Sequence, residues 1–198
     1  MIRHNLRELR EISTYSVAGL GTGQASLSGL VFDAADWHLR SFVIEHNMQY
    51  PSPVEIPARF FASLDDRRRE LGFRIEAEAL RSAGKYRPSQ PSERNQFDAV
   101  ALIGRTIEGR DGTAGLISDL LLNVELWLLR YFVIEIAGRR VLTDIEWASS
   151  MTESQSGLCL DLPARAVVTA PAYEGLGELS KGDEEELYRH YTHAAFAH

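Results

Sequence analysis

The 198-residue chain carries 28 acidic against 21 basic side chains, a net charge of −7, with 44% hydrophobic residues. That apolar content excludes a disordered chain, and the acidic balance argues against the basic surface that nucleic-acid phosphates require. A single cysteine, Cys159, excludes an internal disulfide framework.

The opening MIRHNLRELREIS lacks the apolar core of a signal peptide, so a cytoplasmic location is expected. Gly19-Leu20-Gly21-Thr22-Gly23 resembles a phosphate loop only superficially. It has no Lys-Ser/Thr ending and opens no helix, so it reads as a turn. Ala34-Ala35-Asp36 marks a turn before the run Trp37 to Glu45, which reads as a strand. Arg67, Arg68 and Arg69 follow Asp65 and Asp66 and read as a solvated turn. Leu71, Phe73 and Ile75 alternate with polar neighbours, as a half-buried strand does. Residues 87–97, rich in Pro and Ser, read as a polar linker. The most hydrophobic stretch, Leu116 to Ile136, contains Asp119, Glu125, Arg130 and Glu135 and is therefore no membrane span. Leu158, Leu160 and Leu162 repeat the strand alternation, and Cys159 between them has no His or Lys nearby to activate it. Asp183, with Glu186 three residues on, predicts an N-cap, and Leu187, Tyr191 and Ala194 form the apolar stripe of a C-terminal helix.

Shifting the chain by 90 residues lays Trp37-His38-Leu39-Arg40-Ser41-Phe42-Val43-Ile44-Glu45 over Trp127-Leu128-Leu129-Arg130-Tyr131-Phe132-Val133-Ile134-Glu135. Only His38 and Ser41 differ from their partners. The register holds upstream, with Leu27 over Ile117, Leu30 over Leu120 and Asp33 over Asn123. Downstream the offset becomes 87, because the loop at Tyr50-Pro51-Ser52-Pro53 is longer than the one at Gly138-Arg139-Arg140. Val54 then lies over Val141, Leu71 over Leu158 and Tyr86 over Tyr173. The chain is thus two diverged copies of one module. Short apolar runs between turns predict that each copy is a small β-barrel. The expected fold is all-β: two tandem barrels packed with pseudo-twofold symmetry, plus a short C-terminal helix. The boundaries fall at 1–86, a linker at 87–97, 98–173, and a tail at 174–198.

The repeat resembles the PRC-barrel family, best in its second copy. Asp111-Gly112-Thr113-Ala114-Gly115-Leu116-Ile117-Ser118-Asp119 is similar to the family's opening D-G-x-x-G-x-I-x-D, and Trp127 to Ile134 to its W-x-I-R-Y-x-V-V strand. The first copy departs, with Gly21-Thr22 for Asp-Gly, Ala25 for the second glycine and Gly29 for the aspartate. It keeps Val54-Glu55-Ile56-Pro57, and the tail Glu186 to Tyr191 looks like the ending of stand-alone bacterial members. The family takes its name from the cytoplasmic barrel of the photosynthetic reaction-centre H subunit and includes a domain of a ribosome-maturation factor. The resemblance implies a bacterial, non-enzymatic adaptor that docks onto a larger assembly, a membrane-associated or reaction-centre-like complex. The alternative is a ribosome-associated factor binding a ribosomal protein. It further implies that Asp119 tethers a turn.

The chain shows no nucleophile-elbow motif, and no catalytic, cofactor-binding or metal residue is assigned. His190 and His193, three apart on the tail helix with His198 beyond, lack a matching carboxylate or cysteine and read as a solvated face. The expected interface residues are Arg40, Phe42, Ile44, Arg130, Phe132 and Ile134. Arg40 and Arg130 recur beside a tryptophan, as interface anchors or as structural ion pairs. With Trp37, Leu39, Trp127 and Leu129 filling the barrels, Phe42, Ile44, Phe132 and Ile134 are left on the opposite strand face. A second barrel, the tail helix or another subunit in a homodimer should cover that face. The expected partners are therefore a protein or larger complex, with no direct nucleic-acid contact, no membrane span and no cofactor.

Overall fold

A computed structural model describes residues 5–20, 24–46, 53–82, 96–151, 157–175 and 179–196. Residues 21–23, the loop residues 50–52, most of the linker (87–95) and His198 lie outside the described residues. In chain order the elements are β1 (Leu6–Glu8), α1 (Leu9–Ile12), β2 (Ser16–Ala18), β3 (Ala25–Asp33), β4 (Leu39–His46) and β5 (Val54–Pro57). After a 3-10 turn (Ala58–Phe60) come β6 (Phe61–Asp65), β7 (Glu70–Phe73) and α2 (Ala77–Ser82). Next are β8 (Gln96–Asp98), a 3-10 turn (Ala99–Leu102), β9 (Thr106–Gly109), β10 (Gly112–Asn123), β11 (Leu128–Ile136) and β12 (Arg139–Asp144). A third 3-10 turn (Ile145–Trp147) leads to β13 (Ala148–Met151), β14 (Gly157–Leu160), α3 (Ala164–Val168) and α4 (Lys181–Phe196). The protein is mostly β, with two seven-stranded sheets and a C-terminal helix.

The contacts divide the chain into two units. The first unit, Leu9–Ala101 with Leu126–Leu128, holds the sheet β5-β4-β3-β2-β7-β6, with β8 added along β3. The second, Met1–Glu8 with Leu102–Glu125 and Leu129–His198, holds β12-β11-β10-β9-β14-β13, with β1 added along β10. The two orders match strand for strand, and the pairing register matches the sequence offsets. Val17 lies opposite Leu71 in the parallel pair β2–β7, and Ile107 opposite Leu158 in the parallel pair β9–β14. The repeat read from the sequence is therefore a repeat of topology and register.

The added strands do not follow the repeat boundaries. β1 opens the first copy yet pairs with β10 of the second, Leu6 opposite Asn123 and Glu8 opposite Leu121. β8 leads into the second copy yet pairs with β3 of the first, Gln96 opposite Asp33 and Asp98 opposite Val31. The two pairings are repeat-equivalent, the donor strand 90 residues later and the acceptor strand 90 residues earlier in the second. Gln96 and Phe97, read as the end of the linker, belong to this strand.

The expected closed barrel is not what the strand ladder shows. Among the described residues no pair joins β5 to β6 or β12 to β13, so each sheet is open. The physical reason is local. The two end strands of each order are consecutive in sequence, and a three-residue 3-10 turn spans the gap between them. Register shifts in β3 and β10 bend the sheets instead. In β10 the bend requires glycine: Gly115 sits at φ +153°, and a Cβ there would lie 2.7 Å from the Glu135 carbonyl oxygen.

Leu30, Phe32, Phe42, Ile44, Ile56 and Leu71 form the fully buried core of the first unit, and Ile107, Ile117, Leu120, Phe132 and Ile134 that of the second. Each such side chain contributes about 1.5–3 kcal/mol relative to exposure. Tyr191 and Leu187 anchor α4 in the second unit. The Tyr191 hydroxyl lies 2.9 Å from the Thr143 hydroxyl and donates to the Leu142 carbonyl at 2.7 Å. The N-cap of α4 is Ser180 rather than Asp183. The Asp183 amide donates to Ser180 Oγ at 3.3 Å, and the Asp183 carboxylate accepts from the Ser180 amide at 2.7 Å. This reciprocal capping starts the helix one turn earlier than Asp183 alone would.

Candidate functional site

Both copies place a tryptophan at the end of the turn that precedes β4 and β11. Asp33 and Asn123 occupy equivalent positions and accept the amides of Ala35 and Glu125, each at 3.0 Å. The turns end on Trp37 and Trp127, which both take left-handed backbone, φ 59° and 50°. A residue there no longer follows strand alternation. The expectation that both tryptophans fill barrel interiors from the strand is therefore corrected: both are half-exposed. The Trp127 ring packs edge-on against Phe42 at 5.0 Å and Phe61 at 4.8 Å, within the first unit. The Trp37 ring packs against Phe97 of β8 at 5.7 Å.

The four apolar interface candidates, Phe42, Ile44, Phe132 and Ile134, are all fully buried within the chain. Phe42 is enclosed by Phe61, Phe73 and Trp127.

Arg40 and Arg130 both make ion pairs, with different partners. Arg40 reaches Asp33 at 3.2 Å and Asp36 at 2.6 Å. The Asp36 carboxyl is held below its ordinary range, first by the His38 amide and then by Arg40. Arg130 lies 3.8 Å from Asp144 and covers the ring of Tyr131. Asp144 also caps the following 3-10 turn by accepting the Glu146 amide at 2.9 Å, and burial raises its carboxyl above the ordinary value. Tyr131 donates to Glu184 of α4 at 3.0 Å. Burial, followed by the charge of Glu184, pushes its phenol up, so it remains a donor.

A third polar group surrounds the exchanged strand β1. Glu8 accepts the Tyr173 hydroxyl at 3.1 Å and pairs with Arg140 at 3.4 Å, whose guanidinium covers the Tyr173 ring. Burial and then Glu8 push the Tyr173 phenol up. This cluster was not legible in the sequence, because its members lie at positions 8, 140 and 173 and no local pattern links them.

The aspartates of the family-like opening have structural roles. Asp111 accepts the Ala164 amide at the start of α3, and buried Asp119 accepts the Leu120 amide at 2.8 Å. Asp119 thus bonds the backbone, in a strand rather than in the turn that was expected.

His190 is not simply solvated. Its Nε2 lies 2.7 Å from the Ala166 carbonyl, joining α4 to α3, whereas His193 is exposed. Cys159 is half-exposed on β14. Among the described residues no group of three His, Cys, Asp or Glu is placed to hold a metal ion, and no helix is long and apolar enough to cross a membrane.

Open hollows lie on the surface formed by the described residues. In the first unit Gly19, Phe60, Phe73, Ile75 and Ala79 line one of about 550 Å³ beside Arg74 and Glu76. On α4, Tyr188, 67% exposed, sits among Lys181, Glu184, Glu185 and Arg189. The arrangement as a whole offers paired charges and capped amides, groups whose chemistry is to hold backbone in place. No protein-family model matches this chain, and no curated protein matches it significantly.

Proposed function

We propose that this chain is a non-enzymatic adaptor of PRC-barrel type, acting in the cytoplasm and docking onto a larger, membrane-associated assembly of reaction-centre-like kind. One observation carries the reading. The polar side chains that stand out, Arg40, Arg130, Asp111, Asp119, Glu8 and Tyr173, are bonded to neighbouring side chains or backbone within their own units. What the two copies hold in common is a scaffold and its register, which suits a protein whose surface is its function. The resemblance of the Trp127 to Ile134 strand and the Asp111 to Asp119 opening to the family supports the same reading.

The test is chemical cross-linking in the native host, followed by membrane and ribosome fractionation and identification of cross-linked subunits. The expected result is recovery with the subunits of one membrane complex. Recovery with ribosomal proteins favours the maturation-factor alternative and contradicts the membrane proposal. Recovery only as uncomplexed chain contradicts both.

A further inference from the structure

We infer that each half of this chain recognises a second copy of the same repeat through its first strand, so that the halves are held together by strand exchange rather than by the linker. The register carries this. Leu6, Arg7 and Glu8 lie opposite Asn123, Leu122 and Leu121; Gln96, Phe97 and Asp98 lie opposite Asp33, Phe32 and Val31. Adding 90 to each donor residue of the first pairing and subtracting 90 from each acceptor residue gives the second. The two acceptor strands, β3 and β10, are therefore equivalent strands of equivalent sheets, and each takes the donor of the other copy.

The side chains show that these are built joints. Leu6 and Phe97 are buried on their acceptor sheets, and Phe97 stacks on Phe32 at 6.3 Å. Asp98 accepts the Leu30 amide of β3 at 3.1 Å. Glu8 is fixed by Tyr173 and Arg140 of the second unit. Exchange of identical elements between identical modules is the interaction by which single repeats would form a homodimer. Here covalent linkage makes the exchange intramolecular, which raises the effective concentration of each donor to about millimolar. The inference concerns how the two halves join and is independent of the adaptor reading.

The test uses the full chain with a long Gly/Ser insert, carrying a protease site, between Ser89 and Gln90. After complete cleavage the two pieces are expected to co-elute at the mass of the joined chain, 22.2 kDa plus the insert, at micromolar concentration. Separation into two species of about half that mass under native conditions would overturn the inference. Leu6→Asp in the cleaved protein is expected to weaken association at least tenfold; unchanged association would overturn it too. Should that variant not fold, amide exchange of the unsubstituted cleaved protein decides. Protection at Arg7 and Leu122 is expected to be lost only as the pieces dissociate, and rapid exchange while they remain associated contradicts exchange-based joining.

Discussion

Asp98 and Asp119 supply a carboxylate to the same backbone position of two equivalent sheets. Asp98 accepts the Leu30 amide at 3.1 Å and Asp119 accepts the Leu120 amide at 2.8 Å. Leu30 and Leu120 are repeat equivalents, but the aspartates are not. Asp119 stands on the acceptor strand itself, where the first copy has Gly29; Asp98 arrives on the exchanged strand, where the other copy has Glu8. Gly29 is what admits Asp98, since a Cβ there would lie 2.9 Å from the Asp98 Cγ and 3.0 Å from its Oδ1. The departure of the first copy from the family-like motif at Gly29 is thus matched by a compensating residue on another strand.

Gly29→Ala is expected to destabilise the protein by about 1–3 kcal/mol, as overpacking does. Asp98 is held by the amides of both Leu30 and Val100, so it yields only by losing hydrogen bonds. In an Asp98→Ala background the same substitution should cost less, with a coupling of about 0.5–3 kcal/mol. Denaturant midpoints of the four proteins of this cycle measure it.

Phe132→Ala and Phe42→Ala should each destabilise by about 3–5 kcal/mol, because both rings are fully buried. Tyr188→Ala, at an exposed helix position, should stay within about 0.5 kcal/mol of the parent. Equilibrium urea unfolding separates the two classes.

Tyr191→Phe keeps the ring and removes the hydroxyl that bonds the Leu142 carbonyl and the Thr143 hydroxyl. Leaving those buried groups with fewer partners should cost about 1–3 kcal/mol. Amide exchange along α4 should rise first, since this bond ties the helix to β12.

Asp144 gives the chain a pH signature. Burial raises its carboxyl above the ordinary value of 3.8, so between that value and the raised one the folded protein binds more protons than the unfolded chain. Stability contributed by this group therefore falls as pH rises through that window. Asp144→Asn keeps an acceptor for the Glu146 amide and removes the titration. The stability of the parent relative to this variant should rise as pH is lowered through the window, and urea midpoints at stepped pH check the sign.

The pairing of Trp37 to Glu45 with Trp127 to Glu135 was legible because both strands are central and apolar on both faces, a pattern few substitutions leave intact. The strands at Leu71 and Phe73 and at Leu158 and Leu160 were legible from a different signal, apolar residues at every second position, and all four are buried. Sequence reading missed the exchanged strands, because Leu6-Arg7-Glu8 and Gln96-Phe97-Asp98 are three residues long and carry no periodic signal. Nor does pattern distinguish β3 from β10 as an acceptor, since equivalent strands offer equivalent edges. The tryptophans were misplaced by one assumption, that alternation continues through a residue whose φ is positive. Arg40 and Arg130 were legible as a retained pair, but their partners Asp36 and Asp144 lie at positions that are not equivalent.

The most direct test of the account is which strand lies beside β1 in solution, read from backbone and side-chain nuclear Overhauser contacts in the intact chain. The predicted contacts are Arg7 with Leu122, Glu8 with Leu121, and Phe97 with Phe32. Contacts of Arg7 with Phe32 and of Phe97 with Leu122, the same register closed within each copy, would contradict it.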